Sequence, residues 1–214
     1  MKTPIGLIDY GMGNLQSVAN SCEYLGRQVR LIRKRADFDG LSHVILPGVG
    51  AFRQGMDRLR ENQLDLAIKE TVGEGKVNLL GICLGMQLLA DTGTEGYKGE
   101  AWEGPGLGFI PGRIERFKDI ALRIPHVGWN EVRVKKSSPL IAGKQPADYY
   151  FVHSYFFKTA SGEDVLAECD YGVSFACVVG RDNVFGVQFH PEKSHQAGLR
   201  LLNNFFGVPC LKNA

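Results

Sequence analysis

The sequence predicts an α/β protein: an open, mostly parallel sheet flanked by helices, with antiparallel strands added in the C-terminal half. Three observations carry this. Short apolar runs beginning near residues 5, 28, 43 and 77 interleave with stretches of helical periodicity. The runs at 5–11 and 43–50 close on glycine, as buried strands feeding tight loops do. Past residue 108, strand-like runs follow one another closely.

The first strand is IGLIDYG (5–11), an apolar run closed by glycine. Leu15, Val18, Cys22 and Leu25 recur at helical spacing, and Gly26 suits the residue after the helix end. QVRLI (28–32) alternates as a second strand, and HVILPGVG (43–50) is a third that breaks into a tight loop. Residues 55–72 read as one helix on Met56, Leu59, Leu64 and Ile68. VNLLGI (77–82) is the fourth strand, and Leu84–Leu89 opens the next helix. A Gly-rich loop (93–108) precedes the strand-like runs GFIPGRIERF, HVGWNEVRV, DYYFVHSYFFKT, FACVVG and VFGVQFHP. GRDN (180–183) separates the last two as a hairpin turn would. A final helix presents Leu199, Leu202 and Phe206 as one stripe.

The 214 residues, 1–214, are expected to form one domain, long enough to bury a substantial core. Lys and Arg total 25 against 23 Asp and Glu, so composition gives no case for nucleic acid or an anionic membrane. Arg30, Arg33, Lys34 and Arg35 read as a solvated strand end and loop. MKTPIGLIDYG has no long apolar segment or small-residue cleavage site, so no signal peptide is expected. No stretch approaches the roughly 18 apolar residues of a spanning helix. Five cysteines (22, 83, 169, 177 and 210), none spaced C-x-x-C, argue against a disulfide framework or a zinc site. They suit reducing cytosol, and a cytoplasmic location is expected. No internal repeat or low-complexity tract occurs.

The chemistry concentrates in three short stretches. In GICLG, Cys83 stands between Gly81 and Gly85 at a strand-to-helix junction. A nucleophile on such a sharp turn is held in strained backbone geometry, and glycines leave room for close packing. Free N–H groups at the helix start favour a thiolate and make the Leu84 N–H a candidate oxyanion donor. In GVQFHPEKS (186–194), alternation points Val187 and Phe189 to the core and Gln188 and His190 the other way. A histidine acting as general base needs an acceptor to set its tautomer, and Glu192 lies two residues on, across Pro191. Strand-end cysteine and histidine would share one carboxyl edge, where open α/β sheets bind ligands. In PGVG (47–50), two glycines around Val49 let the backbone present N–H groups to a cavity.

Together, PGVGAF, GICLGMQLL and VQFHPEKS, in this order and spacing, resemble the class I (triad) glutamine amidotransferases. DYGMGNLQSV (9–18), PHVGWNEV (125–132) and YYFVHSYF (149–156) narrow the resemblance to the glutaminase subunits of imidazole glycerol phosphate synthases, which serve histidine biosynthesis. The match runs from Ile5 to Phe206. The resemblance implies Cys83 as nucleophile on the glutamine carboxamide, His190 as proton carrier and Glu192 as its orienting carboxylate. It implies Val49 and Leu84 as oxyanion donors, with Gly48, Gly50, Gln87, His153, Ser154 and Tyr155 about the glutamine. It further implies a (β/α)8-barrel cyclase partner in a heterodimer, fed with ammonia through an internal passage, and Asn14, Trp129 and Lys193 as partner contacts. No cofactor or metal is expected. A flip of a peptide plane in the Gly48–Val49–Gly50 loop would switch the oxyanion hole, keeping hydrolysis low until the partner is liganded.

Other readings fare worse. GMG after the first strand lacks the third glycine of a dinucleotide fingerprint, where Gln16 stands. A cysteine hydrolase of the same fold, or a glutaminase serving a sugar-amidating synthase, would share the site but differ in substrate or partner. A purely binding role conflicts with the presence of Cys83, His190 and Glu192 together.

Overall fold

A computed structural model describes residues 3–97, 103–118, 120–141 and 147–211. Residues 98–102 of the Gly-rich loop lie outside that set. The chain passes through β1 (Ile5–Ile8), α1 (Leu15–Tyr24), β2 (Val29–Ile32), β3 (His43–Leu46), α2 (Phe52–Glu61), α3 (Leu64–Gly73), β4 (Asn78–Ile82) and the single turn α4 (Leu84–Gln87). Then come β5 (Thr92–Gly93), β6 (Gly104–Pro105), β7 (Gly112–Arg116), β8 (His126–Val134), β9 (Ala147–His153) and β10 (Tyr155–Thr159). The last elements are β11 (Val165–Asp170), β12 (Ser174–Arg181), β13 (Val184–Val187) and α5 (His195–Phe205).

Five parallel strands, ordered β2-β1-β3-β4-β13, make the centre of the sheet. β13 returns from β12 through an antiparallel hairpin in which Arg181 faces Val184, and Asp182 takes the positive φ of 53° that the tight turn needs. The sheet continues through β10, β7, β5 and β6, while β11, β8 and β9 branch from β12. β1, β3, β4 and β13 are buried along their whole length because both faces are covered, whereas β2, at the edge, exposes Arg30 and Leu31. Ile45, Leu80, Ile82 and Val187 join Leu201, Leu202 and Phe205 of α5 in one layer. Val44, Leu46 and Leu79 join Leu59, Leu64 and Ile68 in the other. Each such fully buried aliphatic side chain contributes about 1.5–3 kcal/mol.

Several boundaries differ from expectation. Residues 55–72 do not form one helix: α2 and α3 break at Gln63, which adopts φ 55°. The five-residue step from Leu59 to Leu64 is out of helical phase, and the break lets both reach the core. Thr92–Gly93, Gly104–Pro105 and Val165–Asp170 are further strands that no apolar run marks, the last because Glu168 and Asp170 interrupt its pattern. The α5 stripe is Gly198, Leu201, Leu202 and Phe205, with Leu199 only half-buried. Two members of the basic cluster are in ion pairs, Arg33 with Asp9 (2.8 Å) and Arg35 with Glu70 (3.1 Å). Such exposed pairs contribute at most about 1 kcal/mol.

Register positions the site. β13 pairs with β4 so that Val187 faces Ile82. The residues that follow each strand, Gln188 and Cys83, therefore leave the same carboxyl edge.

Candidate active site

Cys83 occupies a strained elbow. Its φ of 54° and ψ of −108° lie where side-chain-bearing residues rarely go. Its N–H donates to the Val187 carbonyl at 2.8 Å, tying the elbow to β13. The flanking glycines have a packing reason. A Cβ on Gly85 would sit 1.8 Å from the Leu46 carbonyl oxygen, and one on Gly81 would sit 2.5 Å from the Gly85 carbonyl oxygen. The turn thus folds directly onto β3 and β4, which leaves the thiol at the edge of the sheet. α4 is a single turn, so its dipole does less for the sulfur than the expected longer helix would. Gln188 Nε2 donates to Sγ at 3.8 Å instead.

His190 Nδ1 lies 2.8 Å from Glu192 Oε1, and both side chains are almost wholly buried. Pro191–Lys193 form a short 3-10 turn, which brings the carboxylate back to the ring. The ring's backbone is fixed as well, since His190 N–H donates to the Tyr150 carbonyl at 2.9 Å and the Ser194 hydroxyl donates to the His190 carbonyl at 2.6 Å. Among the described residues, His190 Nε2 has no oxygen or nitrogen partner. Burial opposes charging this ring, but contact with the Cys83 thiol and the Glu192 carboxylate outweighs it and lifts the imidazole pKa to about 10. Val187 and Phe189 lie in the apolar layer that α5 covers, whereas Gln188 reaches Gln87 and the Cys83 sulfur and His190 lines the cavity with them. All four are buried, because both faces of the sheet are covered here.

The oxyanion donors are not both free. Leu84 N–H donates to the Gly48 carbonyl at 3.3 Å. In a trans peptide the C=O and the following N–H point in opposite directions. The Val49 N–H is therefore turned away from Leu84.

A cavity of about 380 Å³ holds Cys83, Leu84, Gln87 and His190 together with Val49, Gly50, His153, Ser154 and Tyr155. Glu192 stands behind His190, and Gly48 beneath the loop, where a Cβ would meet the Tyr10 hydroxyl at 2.4 Å. Asn14, Trp129 and Lys193 lie outside this cavity. Asn14 caps α1 by accepting Ser17 N–H at 3.2 Å. Trp129 is half-exposed and stacks on His195 at 4.9 Å, and Lys193 lies over the Tyr150 ring at 5.7 Å. Glu95 also lines the cavity, its carboxylate accepting Phe52 N–H at 3.3 Å. Burial raises its pKa, against the pull of that hydrogen bond and of Arg116. Glu95 sits in a Gly-rich loop with no periodicity to mark it. A wider cleft of about 640 Å³ lies across Tyr155, but its charges include the mutually paired Arg113 and Glu115, and no cysteine or histidine lines it. Among the described residues, no cluster of metal-ligating side chains occurs and no helix is long and apolar enough to cross a membrane.

A parallel α/β sheet with a cysteine on its elbow, and a histidine backed by a carboxylate on the same cavity, is an arrangement that acyl transfer through a thiol can use. The glutamine amidotransferase class-I family model matches residues 6–208, and the chain belongs to that family. It is 43% identical to imidazole glycerol phosphate synthase subunit HisH of Bdellovibrio bacteriovorus, over 94% of this chain and 98% of that one. It is 46% identical to the protein of the same name from Geobacillus thermodenitrificans, over 96% of each chain. A glutamine amidotransferase crystal structure superposes with a TM-score of 0.74 at 24% identity, covering 95% of this chain and 99% of that one.

Proposed function

We propose that this chain is the glutaminase subunit of an imidazole glycerol phosphate synthase, hydrolysing glutamine to glutamate and passing ammonia to a barrel-shaped cyclase in histidine biosynthesis. The observation that carries the reading is the buried His190–Glu192 pair on the wall of the cavity that holds the Cys83 elbow. The names of the relatives support the assignment to this synthase rather than to a sugar-amidating one.

The Cys83 sulfur attacks the glutamine carboxamide carbon, and the carbonyl π electrons move to oxygen. His190, which carries the thiol proton and is steadied by Glu192, gives it to the departing ammonia. The C–N bond breaks and a glutamyl thioester remains. Water then loses a proton to His190, attacks the thioester and releases glutamate, and the proton returns to sulfur. Backbone N–H groups of Leu84 and Val49 hold the oxyanion once the Gly48–Val49 peptide has turned over. That rotation frees the Leu84 N–H and swings the Val49 N–H inward in one movement, turning about φ of Val49 and about ψ of Gly48, where no side chain opposes it. Glutamine fits a cavity of this size, with Gln87, His153, Ser154 and Tyr155 around it. Trp129, Lys193 and Asn14 are assigned to the partner-facing surface.

A glutamine affinity label tests the chemistry. It adds its mass to Cys83 in the wild type and to no residue in Cys83→Ala. Failure to label Cys83 even with the cyclase present overturns the reading.

A further inference from the structure

PHVGWNEV contributes one residue that the proposed mechanism leaves unused. His126, on β8, is 2% exposed and lies between two aromatic faces, with Tyr171 stacked at 3.9 Å and Phe151 at 4.8 Å. Its Nδ1 lies 2.9 Å from His153 Nε2, and His153 Nδ1 lies 2.9 Å from the Tyr155 carbonyl oxygen.

The direction of every proton in this chain follows from one end. A carbonyl oxygen only accepts, so His153 Nδ1 carries the hydrogen. In a neutral ring, His153 Nε2 is then a bare acceptor, and His126 Nδ1 must donate to it. His126 Nε2 is left as an acceptor, and Asn130 Nδ2 faces it at 3.4 Å. The Asn130 amide is oriented consistently, because its Oδ1 accepts Glu131 N–H at 2.8 Å. Protonating either ring would set two N–H groups against each other. Burial lowers both imidazole pKa values, to about 4 for His126 and about 3 for His153, which keeps the rings neutral.

The chain continues to the nucleophile. The Tyr155 carbonyl also accepts from Gln87 Nε2 at 3.1 Å. Gln87 Nε2 donates at 3.1 Å to Gln188 Oε1, and that fixes Gln188 with its Nε2 toward Cys83 Sγ at 3.8 Å. We infer that His126 is a positioning residue of the glutaminase site: its Nδ1–H locks the His153 tautomer and, through Tyr155, Gln87 and Gln188, orients the hydrogen-bond donor aimed at the Cys83 sulfur. His126 touches neither substrate nor sulfur in this scheme. The inference rests on the glutaminase reading above and deepens it.

Two substitutions separate the hydrogen bond from the packing. His126→Phe keeps a flat ring between Tyr171 and Phe151 but has no donor. His126→Asn loses the stacking but keeps an N–H on the atom equivalent to Nδ1. Glutamine hydrolysis by the full chain with its cyclase partner is measured alongside thermal melting. Positioning predicts that Phe melts at or above the wild-type temperature yet loses about tenfold in kcat/KM, while Asn melts lower yet stays within about twofold. The reverse ordering, with activity following melting temperature, overturns the assignment. A second readout needs no turnover: nitrogen-15 imidazole spectra of the full chain should show His126 and His153 both as Nδ1–H tautomers. An Nε2–H His153 overturns the relay. If wild type neither hydrolyses glutamine nor labels at Cys83, the glutaminase reading itself falls; normal wild-type turnover with an unaffected Phe variant removes only the role of His126.

Discussion

The Gly48 carbonyl oxygen lies 3.3 Å from the Leu84 nitrogen and accepts its hydrogen. That bond occupies one expected oxyanion donor and, through the planarity of the peptide, turns the other away. Loss of a single oxyanion donor reduces turnover by about 10²–10³. The isolated chain is therefore expected to hydrolyse glutamine at least about a hundredfold more slowly than the complex with liganded cyclase. A steady-state glutamate assay on both is sufficient, and equal rates would refute peptide gating.

The ammonia route gives a second expectation. Cys83→Ala removes the nucleophile but leaves the partner's chemistry untouched. In the complex, glutamine-dependent cyclisation should disappear while the reaction supplied with ammonium salt proceeds at the wild-type rate. Loss of both would contradict the division of labour between the subunits.

His190 and Glu192 predict a pH profile. Contact with the thiol and the carboxylate keeps the ring protonated well above its ordinary range. The proton given to ammonia is thus available until the pH rises towards the raised value, and turnover falls beyond it. Glu192→Gln removes one of the two raising contacts, so the alkaline limb of kcat moves to lower pH. Its kcat should fall by roughly 10- to 100-fold, less than in His190→Ala, which removes a proton carrier worth about 10²–10⁴. An unmoved alkaline limb would show that the carboxylate does not tune the ring.

The histidine pair carries a stability signature of opposite sign. Both rings are neutral in the folded protein, with pKa values lowered by burial; Tyr171 faces His126, and His190 adds a further unfavourable charge at His153. Above about pH 6.5 neither folded nor unfolded rings bind protons, and the pair gives no pH slope. Below it, the unfolded chain takes up protons that the folded chain refuses, so stability falls with pH until the folded rings themselves titrate near 4 and 3. Between those limits the melting temperature should fall less steeply in His126→Phe than in wild type. Parallel curves would show that the pair is not held neutral.

Much of this is legible in the sequence. β1, β3 and β4 announce themselves because a doubly covered parallel strand is buried on both faces and so mostly apolar, and Gly81 and Gly85 mark the elbow because no side chain fits where the Gly85 and Leu46 carbonyls press. What a sequence lacks is backbone direction beyond regular structure. The Gly48–Leu84 bond depends on which way one peptide faces, and Glu95 depends on a loop folding over the cavity. The break at Gln63 was legible in principle, as a phase jump between Leu59 and Leu64.

The elbow yields a final test that is independent of turnover. Where φ is negative, replacing alanine by glycine destabilises a protein by roughly 0.5–1 kcal/mol, because glycine loses more backbone freedom on folding. At Cys83, φ is 54° and ψ −108°, a conformation open to glycine and strained for any residue with a Cβ, by about 1–3 kcal/mol. The usual order should therefore invert, with Cys83→Gly unfolding at a higher denaturant concentration than Cys83→Ala, although it buries one methyl group less. The comparison cancels loss of the thiol, which both variants share. An alanine variant as stable as the glycine variant, or more so, would mean that the turn relaxes freely and that no strain is stored beneath the sulfur.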